Sequence, residues 1–69
     1  MRKIINVLEK YDKLQIVFNN DFIEIKCYNK EYSIPIIINL SFDYKKIIKI
    51  FILRKQLEGK NLTYENKQT

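Results

Sequence analysis

From Lys13 to Asn39 the chain alternates apolar and polar residues in three consecutive runs, separated by two pairs of turn-forming residues. Leu14, Ile16 and Phe18 have Gln15 and Val17 between them, and Asn20-Asp21 follows. Asn and Asp accept the left-handed backbone that a two-residue hairpin needs. Ile23, Ile25 and Cys27 then have Glu24 and Lys26 between them, Asn29-Lys30 follows, and Tyr32, Ile34, Ile36 and Ile38 complete the third run. A period of two repeated three times specifies half-buried antiparallel strands.

The register can be worked out from the turns. A two-residue turn at Asn20-Asp21 sets Phe18 opposite Ile23, Ile16 opposite Ile25 and Leu14 opposite Cys27. One at Asn29-Lys30 sets Cys27 opposite Tyr32, Ile25 opposite Ile34 and Ile23 opposite Ile36. All these residues then share one face. A slip of one residue in either hairpin would turn a strand inside out. Pro35 argues against the second pairing, because it would face Glu24 in a hydrogen-bonded pair and has no N–H to give. Either the turn is longer than two residues or strand 3 bulges near Pro35, on an edge strand that tolerates proline.

Two helices flank the strands. Over residues 2–12, Ile4, Ile5, Leu8 and Tyr11 recur at helical spacing and Val7 falls on the polar side; a strand over residues 3–8 is the competing reading. Ser41 is a good N-cap and Asp43 suits the helix dipole. Gly59 is a C-terminal stop. Phe42 to Glu58 therefore reads as the main helix, although Ile and Phe in residues 47–54 also favour a strand. Tyr44, Ile47, Ile48, Phe51 and Ile52 form one broad face, to pack on the sheet. Ile50, Leu53 and Leu57 form a second face that needs a neighbour: helix 1, a second copy or a partner. From Lys60 the chain is polar. Leu62 and Tyr64 alternate with Thr63 and Glu65, which allows a short strand, with fraying from Asn66. The expected fold class is α+β: a three-stranded antiparallel meander packed by a long C-terminal helix, with a short N-terminal helix. It forms one domain over residues 1–69, with 60–69 a partly frayed tail.

The 69 residues are 46% hydrophobic and 30% charged, a globular composition. A chain this short makes a thin core, and association is a common remedy. The single cysteine excludes an internal disulfide, and with no histidine a structural zinc site is excluded too. The N-terminal residues lack the apolar run of a signal peptide. The longest apolar run, Ile50 to Leu53, is far too short to span a bilayer. The expected location is the cytoplasm.

Catalytic signals are absent. Histidine, the usual general base, is missing. One glycine cannot make a phosphate-cradling loop. Cys27 falls on the inward face of the central strand and reads as a buried structural residue. The carboxylates are scattered, with Asp12, Asp21 and Glu31 beside turns. The chain reads as a non-enzyme with no cofactor, no metal and no small-molecule substrate.

Two functions are expected from these residues. The first is a protein-binding module that self-associates or holds a protein partner through Ile50, Leu53 and Leu57. It would be a small inhibitor or regulator. The abundance of Ile, Lys and Asn, whose codons are A/T-rich, suggests a phage or mobile element of an A/T-rich bacterium. The second function rests on the net charge of +5 and a pI near 9.4, which lean toward nucleic acid. Lys45, Lys46 and Lys49 on the main helix would neutralise phosphates. Phe22 and Tyr28, beside Lys26 on the outer sheet face, would stack bases. The order helix, three strands, helix also occurs in double-stranded RNA-binding domains. Their glycine-rich lysine motif and Gly-Pro loop are missing here, so no family is assigned.

Overall fold

A computed structural model describes residues 2–67. Helix α1 (Arg2–Leu8) leads into strands β1 (Lys13–Phe18), β2 (Phe22–Asn29) and β3 (Tyr32–Ser41). A single 3-10 turn (Phe42–Tyr44) then opens helix α2 (Lys45–Leu57), and strand β4 (Leu62–Asn66) ends the fold. The fold is α+β, but the sheet is mixed and four-stranded, in the order β3-β2-β1-β4. The expected three-stranded meander is therefore incomplete: β4 returns beside β1 and pairs with it in parallel. Leu62 to Asn66 is sheet, and the Lys67 N–H donates to the Phe18 carbonyl at 2.8 Å. Gln68 and Thr69, assigned to the frayed tail, lie outside the described residues.

The first hairpin has the register the alternation implies, with Phe18 opposite Ile23, Ile16 opposite Ile25 and Leu14 opposite Cys27. All six side chains are buried. The second hairpin differs. It turns at Lys30-Glu31, with Asn29 opposite Tyr32. Asn29 Oδ1 accepts from the Glu31 N–H at 2.9 Å, and Asp12 Oδ2 accepts from the Lys30 N–H at 2.8 Å. The ladder then shifts, so that Cys27 faces Ile36, Ile25 faces Ile38 and Ile23 faces Leu40.

Proline explains the shift. The Asn19 N–H donates to the Phe22 carbonyl, so Phe22 turns its backbone groups toward β1. By alternation Ile23, Ile25 and Cys27 turn theirs toward β3, and the residues opposite them, Ile36, Ile38 and Leu40, answer. Pro35 then points to the open edge, where its missing N–H costs nothing. The pairing has moved by four residues, an even number, so the inward set keeps its face. It does not keep its cover. Ile34 is 79% exposed and Tyr32 66% exposed, because the start of β3 overhangs the core.

Helix α2 starts three residues later than the sequence suggests. Ser41 caps the 3-10 turn instead, its Oγ accepting from the Asp43 N–H at 3.3 Å. The far end is closed by Gly59 in the left-handed region, φ 73°. The Gly59 N–H donates to the Gln56 carbonyl and the Lys60 N–H to the Lys55 carbonyl, a Schellman stop that satisfies two orphan carbonyls. Ile48, Phe51 and Ile52 are buried on the inner sheet face together with Leu8 of α1, while Ile4, Ile5 and Tyr44 pack around them. Both helices thus cover the same face of the sheet, and among the described residues no helix lies on the outer face.

Truncation at two isoleucines should separate covered from overhanging positions. Ile25→Ala should lower the unfolding free energy by about 2–5 kcal/mol. Ile34→Ala at low protein concentration should stay within about 0.5 kcal/mol of wild type. Denaturant titration measures both, and equal losses would contradict the observed register.

Candidate functional site

Helix α2 presents two apolar faces. The turn of about 100° per residue that buries Ile48, Phe51 and Ile52 sends Ile50, Leu53 and Leu57 to the opposite side. Helix α1 does not reach that side, and Leu53 is 62% and Leu57 90% exposed. Their spacing, i, i+3 and i+7, is that of anchors on one helix face. Lys46, Lys49 and Arg54, all exposed, rim this face. Beside it Lys49, Ile52, Leu53, Tyr64 and Asn66 line a shallow groove of about 260 Å³ between α2 and β4. Tyr64 is the member of this surface that the sequence pattern alone does not single out. Its alternation with Leu62 is visible, but its place beside α2 depends on β4 pairing with β1.

The two halves of the nucleic-acid set are not brought together. Phe22, Lys26 and Tyr28 lie on the outer face of β2. Lys45, Lys46 and Lys49 lie on α2, on the other side of the sheet. Phe22 and Tyr28 sit at opposite ends of β2, about 20 Å apart along the strand. The Tyr28 ring is already occupied: Lys13 Nζ stands 5.1 Å from its centroid, and its hydroxyl donates to Gln15 Oε1 at 3.0 Å. Lys45 Nζ is likewise 4.7 Å from the Phe42 ring centroid. The outer face also mixes signs, because Val17 is opposite Glu24 on β2 and opposite Glu65 on β4. The backbones of Glu24 and Glu65 stand about 10 Å apart, two strand spacings.

Alternation alone assigns a third surface to the core, and the structure opens it. Cys27, Asn29, Tyr32, Ile34, Pro35 and Ile36 surround an open apolar depression of about 360 Å³ at the β2–β3 tip. Cys27 forms its floor and is itself buried.

Lys55 lies in the last turn of α2, where a cation suits the helix dipole, and it is buried. Its Nζ lies 3.2 Å from Glu58 Oε1, 3.7 Å from Glu9 Oε2 and 5.5 Å from the Phe51 ring centroid. The legible signal is its position, four residues after Phe51 and seven after Ile48, on the buried stripe. Its methylenes cover the core while the ammonium reaches acids at the rim. This pairing ties the last turn of α2 to the end of α1.

Among the described residues no group of three or more His, Cys, Asp or Glu is placed to hold a metal. No described helix is long and apolar enough to cross a membrane. Comparison with protein-family models, curated proteins and solved structures finds no match.

Burial pushes the Cys27 thiol up from its ordinary 9.0 to about 11, because a thiolate would lose its water there. The folded chain holds this proton more tightly than the unfolded chain does. The resulting stability is fully present below about pH 9 and drains away as pH rises toward 11. Wild type should therefore lose more stability than Cys27→Ala across that window in denaturant titrations. A thiol reagent at neutral pH should label Cys27 only after unfolding.

Proposed function

We propose that this chain is a non-enzymatic protein-binding module, a small inhibitor or regulator that acts by occupying a partner's surface. The observation that carries this reading is the exposed row Ile50, Leu53 and Leu57 on the solvent side of α2. Three large aliphatic side chains at anchor spacing gain most when a partner removes them from water. The rim of Lys46, Lys49 and Arg54 sets the partner's chemistry: an apolar ridge or groove flanked by carboxylates. Rim charges of this kind speed and orient docking, while the apolar centre supplies the affinity. The nucleic-acid alternative retains the net charge of +5, but its aromatic residues and its helix lysines stand on opposite sides of the sheet.

The test is Leu53→Lys. The side chain is exposed, so the thermal midpoint should stay within a few degrees of wild type. Affinity for the protein partner recovered from source cells should fall by about 2 kcal/mol or more, roughly thirty-fold. Unfolding by this substitution would mean the face is core. In parallel, labelled single- and double-stranded DNA and RNA should show no binding at low salt. Binding that weakens steeply with salt, with a slope reduced by replacing Lys45, Lys46 and Lys49 with Gln, would favour the nucleic-acid function instead.

A further inference from the structure

The open edge of β3 is a different surface from the outer side of α2, and a partner on one does not require a partner on the other. Strands β3 and β4 are the two edges of the sheet. Exposed edges are normally guarded by charge, because their unpaired backbone groups recruit other strands. The β4 edge has such guards in Glu65 and Lys67, 3.9 Å apart. The β3 edge carries no charge, Tyr32 to Phe42 being eleven residues without one, and its guard is of another kind, Pro35 near its start. The same alternation that turns Ile36, Ile38 and Leu40 toward β2 leaves the N–H and C=O groups of Ile37, Asn39 and Ser41 facing outward. Tyr32, Ile34, Ile36 and Ile37 are exposed around that edge, Ile37 at 53%.

We propose that β3 pairs antiparallel with β3 of a second copy of this chain, about a two-fold axis at Ile37, joining two sheets into one of eight strands. Three observations select a second copy as the occupant. First, each chain carries a net charge of +5, and the uncharged β3 edge is where two copies meet with the least repulsion. Second, the pairing is self-complementary. An axis at Ile37 sets Ile36 beside Ile38 of the second copy and Ile34 beside its Leu40, while the two Ile37 side chains meet on the outer face. Every isoleucine left exposed by one chain's β3 lands on an apolar residue of the other. Third, the side chains that the axis brings together, Ile34, Ile36 and Ile37, are 79%, 51% and 53% exposed in the single chain, so each has surface to lose to a second copy.

Pro35 is compatible with this register. It stands opposite Asn39 of the second copy, whose N–H donates to the Pro35 carbonyl. Only the Asn39 carbonyl goes without a protein donor there, at a rim open to water. The two Ile37 residues exchange both of their backbone bonds. The ladder therefore runs through the axis and lacks one bond at each of the two Pro35–Asn39 pairs.

The measurement is sedimentation equilibrium of the whole chain over a range of concentrations. Wild type should approach twice its 8.4 kDa mass. Ile37→Lys, which sets two ammonium groups against each other on the axis, should sediment as a monomer with an unchanged circular dichroism spectrum. Ile34→Lys should weaken the dimer without unfolding the chain. Ile37→Cys should cross-link to itself under mild oxidation, because the Cα atoms of a hydrogen-bonded pair stand about 5.5 Å apart, within disulfide range. Leu53→Cys, on α2, should not. A wild type that stays monomeric at high concentration overturns the proposal. So does a dimer that survives Ile37→Lys, or one that is abolished by Leu53→Lys, which would move self-association to the helix.

Discussion

The structure depends on one layer of packing, the stripe Ile48, Phe51 and Ile52 of α2 laid over the inner face of β1 and β2. A chain of 69 residues has material for one such layer. Helix α1 adds Leu8 to the same side, and no helix among the described residues covers the other face of the sheet. The remaining features are consequences of that limit. Core positions sit where α2 lies above the strands, and residues of the same chemistry are exposed where it does not.

Ile25 and Ile34 illustrate this. Both are isoleucines on strands that alternate cleanly, and both belong to the inward set. Ile25 lies under α2 and is buried, whereas Ile34 lies beyond the cover at the tip of β3. Hydrophobic stabilisation follows area removed from water, so inward direction without a lid contributes little to the monomer. Exposed area of this kind is available to a partner. The two surfaces where it collects, the outer side of α2 and the edge of β3, differ in character. The first is rimmed by cations and offers side chains alone. The second is uncharged and offers backbone hydrogen bonds as well.

Lys55 shows how the thin core is finished at its border. The buried stripe of α2 runs out at its last turn, where a fourth apolar residue would face the polar link between α1 and β1. A lysine covers the core there with its methylenes and meets Glu9 and Glu58 with its ammonium. Both acids are exposed to water, and an ion pair with such partners contributes modestly to stability. Its effect is geometric, setting the end of α2 against the end of α1. Beyond it the Schellman stop at Gly59 turns the chain back, and β4 begins three residues later beside β1.

The local features are legible in the residues themselves. The first hairpin, the face each strand residue takes, the short N-terminal helix, the two-faced character of α2 and its stop at Gly59 all arise from interactions within a few positions of one another. Parity, caps and turn residues encode such interactions directly. Even the conflict at Pro35 is visible, because a missing N–H cannot be hidden in a ladder. What only the tertiary structure decided was where along the elements the core begins and ends. The four-residue displacement of β3 preserved parity, so alternation could not detect it, yet it carried Tyr32 and Ile34 out of the core. The parallel pairing of Leu62–Asn66 with β1 joins residues some fifty positions apart, and no local pattern specifies a partner at that distance. The separation of Phe22 and Tyr28 from Lys45, Lys46 and Lys49 has the same origin. Sequence places each residue on a face of its own element, whereas packing decides which faces meet.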